Sequence, residues 1–355
     1  MGISSALGSS ALLPAGLGFR NLIINGAMQI DQRASATTPI TTNGYVTDRW
    51  YVEDGCDAVL SSQQSTDVPT GQGFRNSLKI TATTADASIG STQFAVITQH
   101  IEGSNSAQLA WGTAGAKQIA VSFWVKATVP GTYSFTVYND GASRICPSAY
   151  TINSANTWEK KVVYVSGDTS GTWLTTTGRG VVVNFYIALG SLYLGTSGVW
   201  NGSNIYGVTG QANALASTNN IFAITGVQLE QNYQPTPFEQ RPIGVELALC
   251  QRYFQIFGTA SVEQVFGSSY FNSAVYIALM IGKLVGEMRA APSLSVVTGG
   301  SVFNVVTLTT YNSISWNVGS TSSQTFYVYS STAVGSANGQ SLFIYGQKFN
   351  ISAEL

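Results

Sequence analysis

Charge is scarce in this chain. Of 355 residues only 9% are Asp, Glu, Lys or Arg, against roughly 25% in an average globular protein. Sixteen basic and seventeen acidic side chains leave a net charge of −1. Gripping duplex DNA or an anionic membrane surface needs a basic excess, so the composition argues against nucleic acid as a partner. Histidine is scarcer still, since His100 stands alone. With no second imidazole there is no His-based zinc site, and a Ser/His/Asp triad would hang on one strand residue. Cys56, Cys146 and Cys250 are odd in number, far apart and without CxxC spacing, which argues against a disulfide framework and reads as buried thiols. No run of eighteen apolar residues occurs, so no helical membrane span is expected.

The material for hydrolytic chemistry is equally thin. Asp48, Glu53, Asp54, Asp57, Glu230 and Glu239 fall in turns or at strand ends, where solvated carboxylates are ordinary, and they form no evident acid/base pair. The GTAGAK stretch from Gly112 to Lys117 lacks the full spacing and the following Ser/Thr of a phosphate loop and reads as a turn. No catalytic residue, metal ligand or cofactor site is assigned.

What the chain does have is β sequence. Apolar residues make up 44%, and short runs rich in Val, Ile, Phe, Tyr and Thr recur at 77–81, 94–101, 118–127, 132–138, 158–165, 181–189 and 221–229. Turn signals such as Asn43-Gly44 and Asn139-Asp140-Gly141 separate them. Many short strands without long helices predict an antiparallel sandwich, with one short helix at 104–111. Alternation identifies the faces: Val121, Phe123 and Val125, Tyr133, Phe135 and Val137, and Val183, Phe185 and Ile187 form the core sets. The opposite parity leaves Trp124, Tyr138, Asn184 and Tyr186 on the outer face. Aromatics there mark a contact, either a sugar ring stacked beside an amide or a neighbouring subunit.

Pro235, Pro237 and Pro242 break regular structure within eight residues. Directly after them Ile243, Leu247, Cys250, Phe254 and Phe257 are spaced four and three apart, which predicts an amphipathic helix. Its stripe suits either a symmetric oligomer seam or packing on its own sandwich. Short strands resume beyond it at 262–271, 274–288, 302–308, 313–318, 325–330 and 342–349. The predicted organisation is all-β: an arm at 1–18, an antiparallel jelly-roll sandwich at 19–234, a Pro-rich hinge and short linking helix at 235–257, and a second, smaller C-terminal β-sandwich domain at 258–355. Residues 1–18 are small and apolar but lack a basic leader segment, so they read as an arm rather than a secretory signal.

The order of SFWVKA, TWEKKVVYV, VVVNFYIALGS and ITGVQLEQ resembles jelly-roll carbohydrate-binding modules. The flanking NLIINGAMQIDQR, YVTDRWYV and VQLEQNYQPTPFEQRPIGVELALCQRYF resemble segments of tail-fibre and minor structural proteins of tailed bacteriophages. The resemblance covers about residues 19–257. It departs from enzyme-linked modules at Thr225, where many carry an acidic residue near a structural calcium, so no metal is carried over. It implies a non-enzymatic virion fibre protein, exposed on the particle and docked to other virion proteins through the N-terminal arm. It also implies a homotrimer and attachment to a host surface glycan or receptor, without membrane insertion. A surface-polysaccharide depolymerase and a purely structural decoration or adaptor protein are the alternatives.

Overall fold

The computed structural model describes residues 19–257, 263–264, 279–284, 286–298, 301–304, 309–311, 316–321, 325–330, 342–345 and 348–355. The 1–18 arm and parts of the strands predicted beyond 257 lie outside them. In chain order the first strands are β1 (Gly44–Tyr45), β2 (Tyr51–Asp54), β3 (Val59–Ser65), β4 (Ser77–Thr84) and β5 (Phe94–Glu102). A one-turn helix α1 (Gly103–Ser106) follows, and then β6 (Ile119–Ala127), β7 (Gly131–Tyr138), β8 (Ile145–Ile152), β9 (Glu159–Val165) and β10 (Arg179–Leu189). The short β11 (Leu194–Gly195) and β12 (Gly207–Val208) pair in parallel, and β13 (Ile221–Glu230) closes the series.

Two antiparallel sheets make the sandwich, ordered β1-β2-β5-β10-β7-β8 and β3-β4-β13-β6-β9. The inner parity is the one the sequence predicts. Val121, Phe123, Val125, Tyr133, Phe135, Val137, Val183, Phe185 and Ile187 are all fully buried. Phe185 is the pivot: its ring lies 4.9 Å from Phe123, 5.1 Å from Phe135 and 6.2 Å from Trp50. Each such side chain contributes roughly 1.5–3 kcal/mol through burial. Strand β8 was not predicted because Pro147 interrupts its pattern. As the edge of its sheet it tolerates a residue that cannot donate to a ladder. In β13 a bulge between Thr225 and Gln228 is turned by Gly226 at φ +60°, where a Cβ would strike the Phe74 ring at 2.4 Å.

The segment at 19–33 is a strap. Leu22 N–H donates to Leu229 O (2.9 Å) and Val227 N–H to Gly26 O (2.9 Å). Asn21 accepts from Leu229 N–H at Oδ1 (3.0 Å) and donates to Val227 O (3.0 Å). A Cβ on Gly26 would lie 2.1 Å from Val227 O, so only glycine lets the strap run this close. The proline-rich link is bound to the same place. Glu239 Oε2 accepts from Asn21 N–H (2.9 Å), Glu239 N–H donates to Gln228 Oε1 (2.8 Å), and Arg241 bridges Asn21 O and Glu246. The predicted hinge is therefore pinned along its length.

The helix stripe needs correction. Helix α2 covers Ile243–Gln251 only, and Phe254–Phe257 is a strand, β14, paired with Lys348–Ser352. The turn occurs where Glu102 holds two successive residues: its carboxylate accepts from Arg252 Nε (3.0 Å) and Nη2 (2.7 Å) and from Tyr253 OH (2.9 Å). Cys250 and Tyr253 pack against Ile24, Ile30 and Leu247 of the same chain, and Phe254 lies beneath the Arg33 guanidinium at 3.7 Å. Ile243 is 58% exposed, off the packed face. The five residues thus form no single seam. Beyond β14 the described strands are antiparallel and short, and Lys348–Ser352 also pairs with Ser293–Thr298.

Burial raises the Glu102 pKa, but hydrogen bonds from Arg252, Ser104 and Tyr253 outweigh it and hold the carboxyl below its ordinary value. Its stabilisation is therefore complete at neutral pH and lost as pH falls through the folded-state value. Glu102→Ala is expected to cost roughly 2–4 kcal/mol, less than a fully buried pair because Arg252 keeps some water. Urea unfolding would read this as a lower midpoint at unchanged m, with the difference from wild type narrowing below about pH 4. A variant as stable as wild type at pH 7 would contradict the assignment.

Candidate functional site

The outer face of the six-stranded sheet carries a cleft of about 570 Å³. Its floor follows from strand parity. With Ala95, Ile97, Val183 and Phe185 turned inward, Val96, Thr98 and His100 of β5 and Asn184 and Tyr186 of β10 must face out. The register sets Thr98 opposite Asn184 and Val96 opposite Tyr186, with Tyr51 and Glu53 of β2 alongside. Ring contacts raise the sides. Tyr45 and Tyr51 meet edge to face at 5.1 Å on one side, and Tyr206 contacts Tyr138 (5.8 Å), Tyr186 (6.3 Å) and Tyr193 (5.9 Å) on the other. The Tyr206 wall is held over β7 because Thr136 Oγ1 donates to Tyr206 O and Val208 N–H donates to Ser134 Oγ (2.9 Å).

The polar groups on the floor are fixed. Thr98 Oγ1 donates to Asn184 Oδ1 (2.9 Å) and Asn184 Nδ2 donates to Tyr186 OH (2.9 Å). Burial pushes the Tyr138 phenol up to about 12 and Tyr186 well above its ordinary value. Both stay neutral hydroxyls, able to donate and accept. His100 Nδ1 lies 2.9 Å from Leu355 O; since that oxygen only accepts, the neutral ring carries its proton on Nδ1. Burial, then the nearby Arg49 and Arg179, lowers the His100 pKa to about 4. Glu53, exposed at the rim, is the one side-chain carboxylate among the described lining residues. Among the described residues, no group of three His, Cys, Asp or Glu side chains is placed to hold a metal ion.

Tyr138, Asn184 and Tyr186, predicted as one surface, do come together here. Trp124 does not. It lies on β6 in the other sheet, opposite Thr225 and Lys160, so its outer face is the far side of the sandwich. Parity assigns a residue to a face of its own strand but says nothing about which sheet the strand joins. Tyr45, Tyr51, Tyr193 and Tyr206 join them without having been predicted. Tyr51 and Glu53 follow from alternation about the buried Val52, whereas Tyr206 reaches the cleft from irregular backbone with no period to read. Three more carboxylates, Asp48, Glu230 and Glu239, are hydrogen-bonded away from the cleft. Asp48 accepts from Gln32 N–H (2.7 Å), Glu230 from Thr236 N–H (2.7 Å) and Glu239 from Asn21 N–H. Thr225 Oγ1 donates to Asn76 O (2.7 Å).

No family model matches the chain, and no curated protein does. Among solved structures it is similar to the enzymatically active domain of tailspike protein 4 of bacteriophage CBA120, at 14% identity and TM-score 0.34 over 60% of this chain and 22% of that one. It is also similar to a CBM4 structure (16% identity, TM-score 0.32, 59% of this chain and 98% of that one). A third is the family 11 carbohydrate-binding module of a cellulosomal cellulase of Clostridium thermocellum (13%, 0.30, 57% and 99%). The chain thus spans about a fifth of the tailspike chain and nearly all of each module.

One measurement checks the electrostatics of the floor. As the sole histidine, His100 gives a single ring signal by proton NMR, and it is expected to titrate near 4 rather than at the usual 6.5. A depressed histidine stabilises the fold above its unfolded pKa, and that contribution is lost as pH falls from 6.5 toward 4. A midpoint between about 6 and 7 would place the ring in water instead.

Proposed function

We propose that this protein is a non-enzymatic glycan-binding subunit of a virion fibre and that the cleft on the six-stranded sheet is its glycan site. The observation that carries the reading is the ring of tyrosines around a hydrogen-bonded Thr98-Asn184-Tyr186 floor. Sugar rings have apolar C–H faces that lie against aromatic rings, and hydroxyls that need neutral donors and acceptors close by. Six tyrosines, Asn184, Asn204 and Thr98 supply both in one cavity, whose size falls within the roughly 300–1,000 Å³ of small-molecule sites. A glycosidase would ordinarily set two carboxyl groups across the scissile bond. Glu53 stands without a second among the described lining residues, which favours binding over hydrolysis.

The virion part of the reading rests on the NLIINGAMQIDQR and VQLEQNYQPTPFEQRPIGVELALCQRYF segments. On it, the chain is exposed on the particle as a homotrimer, docked by residues 1–18 to other virion proteins. Light scattering on the full chain should give the mass of three copies, and the mass of one would remove the trimer.

The glycan site is tested by probing the purified protein on an array of bacterial-surface oligosaccharides. Tyr206→Ala is expected to weaken binding tenfold or more, roughly 1.4 kcal/mol, while Trp124→Ala, on the opposite face, leaves it unchanged. Binding that is lost with Trp124→Ala but kept by Tyr206→Ala would move the site to the other sheet. No binding to any glycan would end the proposal.

A further inference from the structure

Residues line the cleft in all four directions of the sheet. Across the strands it is flanked by Tyr45 and Tyr51 on one side and by Tyr193 and Tyr206 on the other. Along the strands one end is lined by Phe94 and Leu189, which face each other in the register, and the other by Arg179 and Leu355. A long polysaccharide held by its interior has to enter and leave, and so needs a groove open at two ends. Here, among the described residues, lining side chains stand at both ends of the strand direction instead.

The end formed by Leu355 is fixed. Leu355 O faces His100 Nδ1 and accepts from Tyr45 OH (3.3 Å). Glu354 is paired with both Arg33 (2.9 Å) and Arg49, whose side chain is only 1% exposed. Ala353 N–H donates to Tyr253 O (2.7 Å), and Arg289 donates to Ala353 O (2.9 Å) and Glu354 O (3.0 Å). Swinging this segment aside would strand the Arg49 guanidinium in the interior without its carboxylate, a heavy desolvation cost. The Tyr206 side wall is tied down through Thr136 and Ser134, and Gln211 Nε2 donates to Tyr186 O (3.2 Å).

We infer that the cleft takes the terminal residues of a glycan chain and excludes the interior of a polymer. The inference rests on the glycan-binding reading above and narrows it. Selectivity comes from residues 353–355, more than 150 positions beyond the last floor residue, so the strands of the jelly roll do not define the ligand by themselves.

Chain-end recognition has a stoichiometric signature. A polymer presents one end of a given kind whatever its length, so its competing power per repeat unit falls as the chain grows. For a glycan that binds on the array, the same repeat is offered to the full-length protein as a short oligosaccharide and as a polymer about twenty times longer, at equal repeat-unit concentration. The polymer is expected to compete about twentyfold more weakly, equivalent to roughly 1.8 kcal/mol. Equal or stronger competition by the polymer, with short oligosaccharides still bound in a Tyr206-dependent way, overturns the chain-end inference and leaves the glycan site standing. Absence of any Tyr206-dependent glycan binding overturns both.

Discussion

The fold depends on a few charges withdrawn from water. A chain with so little charge could spend it on solubility, yet Arg49, Glu102, Arg241, Asp48 and Glu354 lie with side chains under a tenth exposed, and each is paired. Replacing such a pair with apolar residues can be neutral, but removing one partner is costly. Each pair therefore acts as a condition, holding only when two distant stretches meet. Glu102 joins the end of β5 to Arg252 and Tyr253, and Arg49, in the turn between β1 and β2, meets Glu354. Hydroxyls and amides on the surface take over solvation, which frees the ionic groups to specify tertiary contacts.

These contacts explain why the cleft has its shape. Strand register alone yields a sheet face with Thr98, Asn184 and Tyr186 in rows. The walls come from elsewhere: the 193–208 stretch, tied down by two hydroxyl bonds, and the 353–355 stretch, tied down by Arg33, Arg49 and Arg289. The floor is a product of alternation, and the walls are products of long-range pairing.

That division is also the division between what could and could not be read from the sequence. Alternation in AVSFWVKA, YSFTVY and VVVNFYIAL gave the core and three floor residues, because the period of a strand is a local property. It could not place Trp124, whose sheet is decided by which strands β6 neighbours. Spacing suggested one helix through Phe257, and the first nine residues do coil. The FQIF that follows alternates as well as it coils, and the Glu102 clamp with the Lys348–Ser352 strand decides for a strand. The tyrosines of the loop walls and the last three residues gave no periodic signal at all.

The Arg49 to Glu354 pair spans 305 residues. During synthesis the chain emerges from its N-terminal side, so β1 to β13 can assemble long before Glu354 exists. Until then Arg49 has no Glu354 carboxylate to meet. Closure of so long a loop is slow compared with local strand pairing. The cleft's end wall is therefore the last part of the cleft to form, and a ribosome stalled short of it would hold a sandwich with a floor but no end wall.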